Sequence, residues 1–102
     1  MKFEQMLGIA FYSREEWEAL RAVAPDADVL EETYDEWLTV YRSSVASLRA
    51  AGIRPKRVAI QLGQLQEWCR LNGRRPDAEA RAAYASDVLR RLSIEGFVLP
   101  DA

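Results

Sequence analysis

The chain contains no histidine and one cysteine, Cys69. The first absence removes the side chain most often used as general base and as metal ligand. The second excludes an intramolecular disulfide, and with it a secreted cross-linked framework. A glycine-rich phosphate loop, a paired Cys-x-x-Cys and a nucleophile elbow are missing too, so no familiar catalytic or cofactor motif is offered. The longest nearly apolar run, Met6 to Tyr12, is far shorter than a bilayer span. It follows Lys2 and Glu4 without a small-residue cleavage signature, which argues against a signal peptide. These absences point to the cytoplasm, no membrane contact and no cofactor.

What is present suits one folded unit. At 102 residues the chain fits a single domain spanning residues 1–102, and 49% of it is hydrophobic. Three Trp, four Tyr and three Phe supply large surfaces to bury. A chain this long buries about two-thirds of the surface its unfolded form exposes, so dimerisation would be an easy gain in stability. The net charge of −2 argues against a generic polyanion or membrane binder. Its distribution is uneven: residues 1–36 hold ten acids against three bases (net −7), and residues 37–102 hold eleven bases against six acids (net +5).

Ser13 stands at an N-cap position with Glu16 three residues on, a capping box, and Tyr12 can staple onto Trp17. The helix that follows stops before Pro25. Asp28 with Glu31 forms a second possible cap. From there Leu30, Tyr34, Trp37, Leu38, Tyr41, Val45 and Leu48 fall within an arc of about 100°, predicting one long amphipathic helix that ends at Gly52. The period then changes. Val58, Ile60 and Leu62 alternate as in a strand, Leu7, Ile9 and Phe11 do so more weakly, and Phe97 to Leu99 offers a third candidate. A lone strand is not viable, so at least two of these should pair. Gln64 to Asn72 predicts a short helix closed by Gly73, and Asp77 caps a last one running to about Leu92. The expected fold is mainly α: four helices around a long central amphipathic helix, with a minimal two- or three-stranded sheet.

Among side chains that could carry chemistry, the acids Glu31, Glu32, Asp35 and Glu36 cluster at helical spacing, but a solvated face near a helix start explains them better than a metal site. Cys69 lies beside Trp68 on the inward side of its helix and reads as an inert core thiol. Arg81 projects into the apolar face among Tyr84, Val88 and Leu92, with Asp77 one turn earlier. A structural ion pair with Asp77 or the acidic first half is the preferred reading, and an anion-binding arginine the alternative. Arg54, Lys56, Arg57, Arg70, Arg74 and Arg75 make up a candidate basic patch.

The stretches FYSREEWEAL, LEETYDEWL and VAIQLGQLQEWCRLNGRRPDAEARAAYA, taken together, resemble a family of small bacterial proteins of unknown function. No activity is attached to that family, so the resemblance implies no catalytic residue. It implies that Trp68, Cys69, Arg81 and Tyr84 form one structural unit. With Asp77 they make the candidate functional or structural cluster.

The leading expectation is therefore a non-enzymatic protein-interaction, assembly or regulatory module, with a homodimer as one form. The aromatic excess, a strand edge and the opposed charge of the two halves favour it. The alternative is nucleic-acid binding through the Arg-rich second half. Third comes a small-anion binder or enzyme centred on Arg81.

Overall fold

The computed structural model describes residues 5–102. Lys2 and Glu4, which enter the argument about a signal peptide, lie outside them. Strand β1 (Gln5–Phe11) leads into helix α1 (Arg14–Val23), a 3-10 turn (Ala27–Val29) and helix α2 (Tyr34–Ala50). Strand β2 (Ile53–Ala59), helix α3 (Leu62–Leu71) and helix α4 (Ala78–Ile94) complete the chain. The two strands pair in parallel, with Gln5 opposite Ile53 and Phe11 opposite Ala59. Parallel pairing requires a long crossover, and α1 and α2 supply it.

Strand alternation gives the sheet two different faces. Gly8 and Ala10 share one with Lys56 and Val58, whereas Ile9 and Phe11 share the other with Pro55 and Arg57. Helix α4 packs on β1 at the first face, over a core that includes Trp17, Leu20, Val58, Leu65, Tyr84 and Ala85. Helix α2 meets Phe11, whose ring centroid lies 5.8 Å from that of Trp37 and 5.2 Å from that of Tyr41.

The local signals operate largely as the residues dictate. Ser13 Oγ accepts from the Glu16 N–H at 3.2 Å, and Tyr12 and Trp17 on either side are buried. The Glu16 carboxylate, however, accepts from the Leu62 N–H at 2.8 Å. An acid expected to close the capping box of α1 thus caps the start of α3 across the molecule, where a free N–H would otherwise need a partner. Asp77 Oδ1 accepts from the Ala80 N–H at 2.9 Å, the expected N-cap of α4. Gly52 (φ 80°) and Gly73 (φ 62°) end α2 and α3 in the left-handed region that only glycine enters freely.

Four expectations need correction. The helix predicted from Leu30 begins at Tyr34, because Thr33 Oγ1 accepts from the Glu36 N–H, while Arg21 Nε donates to the Glu31 carbonyl and occupies an acceptor that a helix there would use. At 17 residues α2 is no longer than α4, and the centre belongs to the sheet, with α4 packed on β1 rather than on α2. The strand expected at Val58–Leu62 runs from Ile53 to Ala59, and Leu62 opens α3. Charged residues on the early part of β2 hide its alternation, and Pro55 is tolerated because it lies at an edge. Phe97–Leu99 is not a strand. The pairing comes just after it: the Arg57 N–H donates to the Pro100 carbonyl, the Ala102 N–H donates to that of Pro55, and Lys56 opposes Asp101 in an antiparallel bridge. No described helix is long and apolar enough to cross a membrane.

Candidate functional site

The two turns of α2 from Leu38 to Val45, the end of β1 and the middle of β2 leave a groove of about 450 Å³ between them. Its lining includes Phe11, Tyr34, Tyr41, Arg42, Arg49 and Arg57. The helical period explains the arrangement. Arg42 and Arg49 are seven residues apart, so they project from one face two turns from each other, with Val45 between them. Arg57 arrives from the sheet face it shares with Phe11, its guanidinium carbon 4.6 Å from the centroid of that ring. Arg49 donates to the Ala102 carbonyl. Arg42 has no hydrogen bond or ion pair among the described residues. Behind the groove the rings of Phe11, Trp37, Tyr41 and Tyr34 form a continuous ladder of contacts. The Tyr41 hydroxyl in this wall is buried with no hydrogen-bond partner among the described residues.

The cluster anticipated around Arg81 is built differently. Arg81 is buried, and its partner is Asp26, not Asp77: Nη1 meets Oδ1 at 2.7 Å and Nη2 meets Oδ2 at 3.0 Å. A third bond runs from Nη1 to the Pro76 carbonyl at 2.8 Å. The hydrogen bonds from Arg81 hold the Asp26 carboxyl below its ordinary range. Tyr12, close enough to feel both charges, is pushed up to about 12 by burial. Arg81 lines neither the groove nor any of four other surface clefts. The arginine is thus engaged internally, and Asp77 is occupied as a cap. Asp26 belongs to the acidic first half, but nothing in its spacing singles it out, since the pair bridges 55 positions of sequence.

Trp68 and Tyr84 meet edge to face at 5.5 Å, and Trp68 Nε1 donates to Asp87 Oδ2 at 3.1 Å. Burial raises the Asp87 carboxyl, but hydrogen bonds from Arg90 and Trp68 outweigh it and leave that group low. Cys69 is buried beneath this pair, and desolvation pushes its thiol up despite Arg74 nearby. A thiol so placed should react with Ellman's reagent only as fast as the protein opens, and fully at once in denaturant. A rapid stoichiometric reaction of the native protein would contradict that placement.

The six bases of the candidate patch do not all lie on one face. Strand alternation sends Lys56 to the opposite face from Arg57, where it is buried and paired to Asp101 at 2.8 Å. Arg54 lines a second cleft together with Arg49 and Asp101. Arg70 pairs with Glu67, and Arg74 stacks on the Trp68 ring at 5.8 Å, 3.9 Å from Glu79. Arg75 is exposed. Of the six, Arg57 alone lines the groove, while Arg42 and Arg49 were not part of the pattern. Their signal was present in the seven-residue spacing on α2, masked by the aromatic stripe beside it. The acids at Glu31, Glu32, Asp35 and Glu36 do not converge: Asp35 pairs with Arg14 at 2.9 Å, and the described residues hold no cluster of three or more His, Cys, Asp or Glu side chains suited to a metal ion.

Comparison with family models, curated proteins and solved structures returned no match to this chain.

Proposed function

We propose that this protein is a non-enzymatic interaction module that holds an anionic partner in the groove between α2 and the sheet. The observation that carries this reading is Arg42: an exposed guanidinium with no hydrogen bond or ion pair among the described residues, in a concave site that also holds Arg49, Arg57 and three aromatic rings. Arginines and aromatic residues are the types enriched where proteins bind one another. By contrast, Cys69 and Arg81, the side chains best suited to chemistry, are buried and engaged in holding the fold. Exposed Met6, Leu7 and Val40 add apolar surface on β1 and α2. A second copy of the chain is one partner that would meet these requirements, since its first 36 residues carry the complementary charge.

At neutral pH the whole chain carries net −2. Despite that charge, the protein should be retained on a sulfopropyl resin at low salt and released as salt screens the contact. The double variant Arg42→Glu/Arg57→Glu should pass straight through. Equal behaviour of both proteins on the resin would sink the reading.

A further inference from the structure

We infer that the groove receives an extended acidic segment of a partner polypeptide, with carboxylates about three residues apart reaching Arg42 and Arg49; the inference rests on the groove being the binding site. The chain's own last described residues show how such a segment is held. Pro100 and Ala102 make two main-chain hydrogen bonds to β2, the Asp101 carboxylate meets Lys56 Nζ at 2.8 Å, and the Ala102 carbonyl accepts from Arg49. The hydrogen bond from Lys56 holds the Asp101 carboxyl low, with Arg54 and Arg49 adding to the field. This edge of the molecule therefore already binds extended backbone: Lys56 holds Asp101 on the face away from Arg57, and Ala102 beside it forms part of the groove lining.

Arg49 keeps further N–H donors besides the one it gives Ala102, and along α2 Arg42 has no hydrogen bond or ion pair among the described residues. Two helical turns separate Arg42 from Arg49 by about 10.5 Å, and three residues of extended chain cover about 10 Å. Val45 and Ala46 offer apolar contact between these positions, and Leu38 does so one turn before Arg42. Arg57 faces them from the sheet, and its side chain, held among the described residues by a cation–π contact with Phe11, can turn to a carboxylate bidentately.

The aromatic geometry favours a peptide over a nucleic acid. Single-stranded nucleic acids need free ring faces on which bases stack. Here the Arg57 guanidinium covers Phe11, the Arg14 guanidinium lies 4.8 Å from the Tyr34 centroid, and Tyr41 leans on Trp37 at 31°. The rings act as walls, leaving the guanidinium groups as the recognising surface.

The test is fluorescence anisotropy with three labelled probes: a peptide alternating glutamate and leucine, the same peptide with serine for glutamate, and oligothymidylate. The glutamate peptide should bind, and Arg42→Glu and Arg57→Glu should each weaken it by about tenfold or more. Arg75→Glu should leave it unchanged. Unaltered melting temperatures would show that the exposed substitutions have not disturbed the fold. Equal binding of the serine peptide, or indifference to Arg42→Glu, overturns the inference. Tighter binding of oligothymidylate through Arg42 overturns the peptide class while leaving the groove as the site. No binding by any probe, together with retention on the resin that Arg42→Glu/Arg57→Glu abolishes, ends this inference alone. Loss of that retention difference as well ends both. A dimer that blocks the groove and dissociates in Arg42→Glu overturns the inference and makes a second copy the occupant.

Discussion

Asp26→Ala should cost about 3 kcal/mol in urea unfolding, because removing one partner leaves a buried guanidinium uncompensated. Arg81 is 8% exposed and makes two short bonds to the Asp26 carboxylate. Without Asp26, only the Pro76 carbonyl remains to it. The double variant Asp26→Leu/Arg81→Met should recover much of the loss, since two apolar side chains can replace a buried pair with little penalty. A loss from Asp26→Ala below about 1 kcal/mol would instead place the pair with surface ion pairs. The pH dependence has a definite sign. The carboxyl of Asp26 is lower in the folded than in the unfolded chain, so its contribution is complete above the ordinary value of 3.8 and lost as pH falls through the folded value. Wild-type stability should therefore fall in acid with a component that Asp26→Leu/Arg81→Met lacks.

Gly8→Ala should be nearly as damaging, for a steric reason. A Cβ there would stand 2.6 Å from the Ala85 carbonyl oxygen, 3.1 Å from the Ala85 carbonyl carbon and 3.3 Å from Leu89 Cβ. The nearest atoms belong to the backbone of α4, which cannot turn aside as a side-chain tip could. Overpacking of this kind costs on the order of 3 kcal/mol, and Gly8→Val should prevent folding. Gly63→Ala provides the contrast. Nothing lies within 4 Å of its Cβ position in α3, so that change should stabilise by roughly 0.5–1 kcal/mol. Equal denaturation midpoints for Gly8→Ala and wild type would disprove the close seating of α4 on β1.

How much of this was legible in the residues depends on the range of the interaction that decides each feature. Ser13 and Asp77 cap their helices as local spacing requires. Gly52 and Gly73 mark helix ends from the same short range. Where a distant partner decides, the sequence misleads. Glu16 has the spacing of a capping box but serves Leu62, and Arg81 has Asp77 one turn away but takes Asp26. Strand β2 was displaced because Arg54, Lys56 and Arg57 obscure an alternation that becomes plain only beside β1. The groove was hidden for a related reason. Its arginines come from two elements, and neither Arg42 nor Arg49 stands out until β2 brings Arg57 opposite them.

The parallel pairing of β1 with β2 also sets an order of events. Residues 12–52 intervene between the paired strands, so β1 has no sheet partner until the crossover is complete and Ile53–Ala59 follows. Its covering helix α4 comes later still, as the last helix of the described chain. During synthesis, α1 and α2 can gain helical structure by local contacts while the apolar β1 waits uncovered. Assembly of the sheet and seating of α4 against Gly8 then fall late, and the groove, which needs β2 for Arg57, cannot exist before that step. The surface proposed here for a partner is thus absent until β2 has been made.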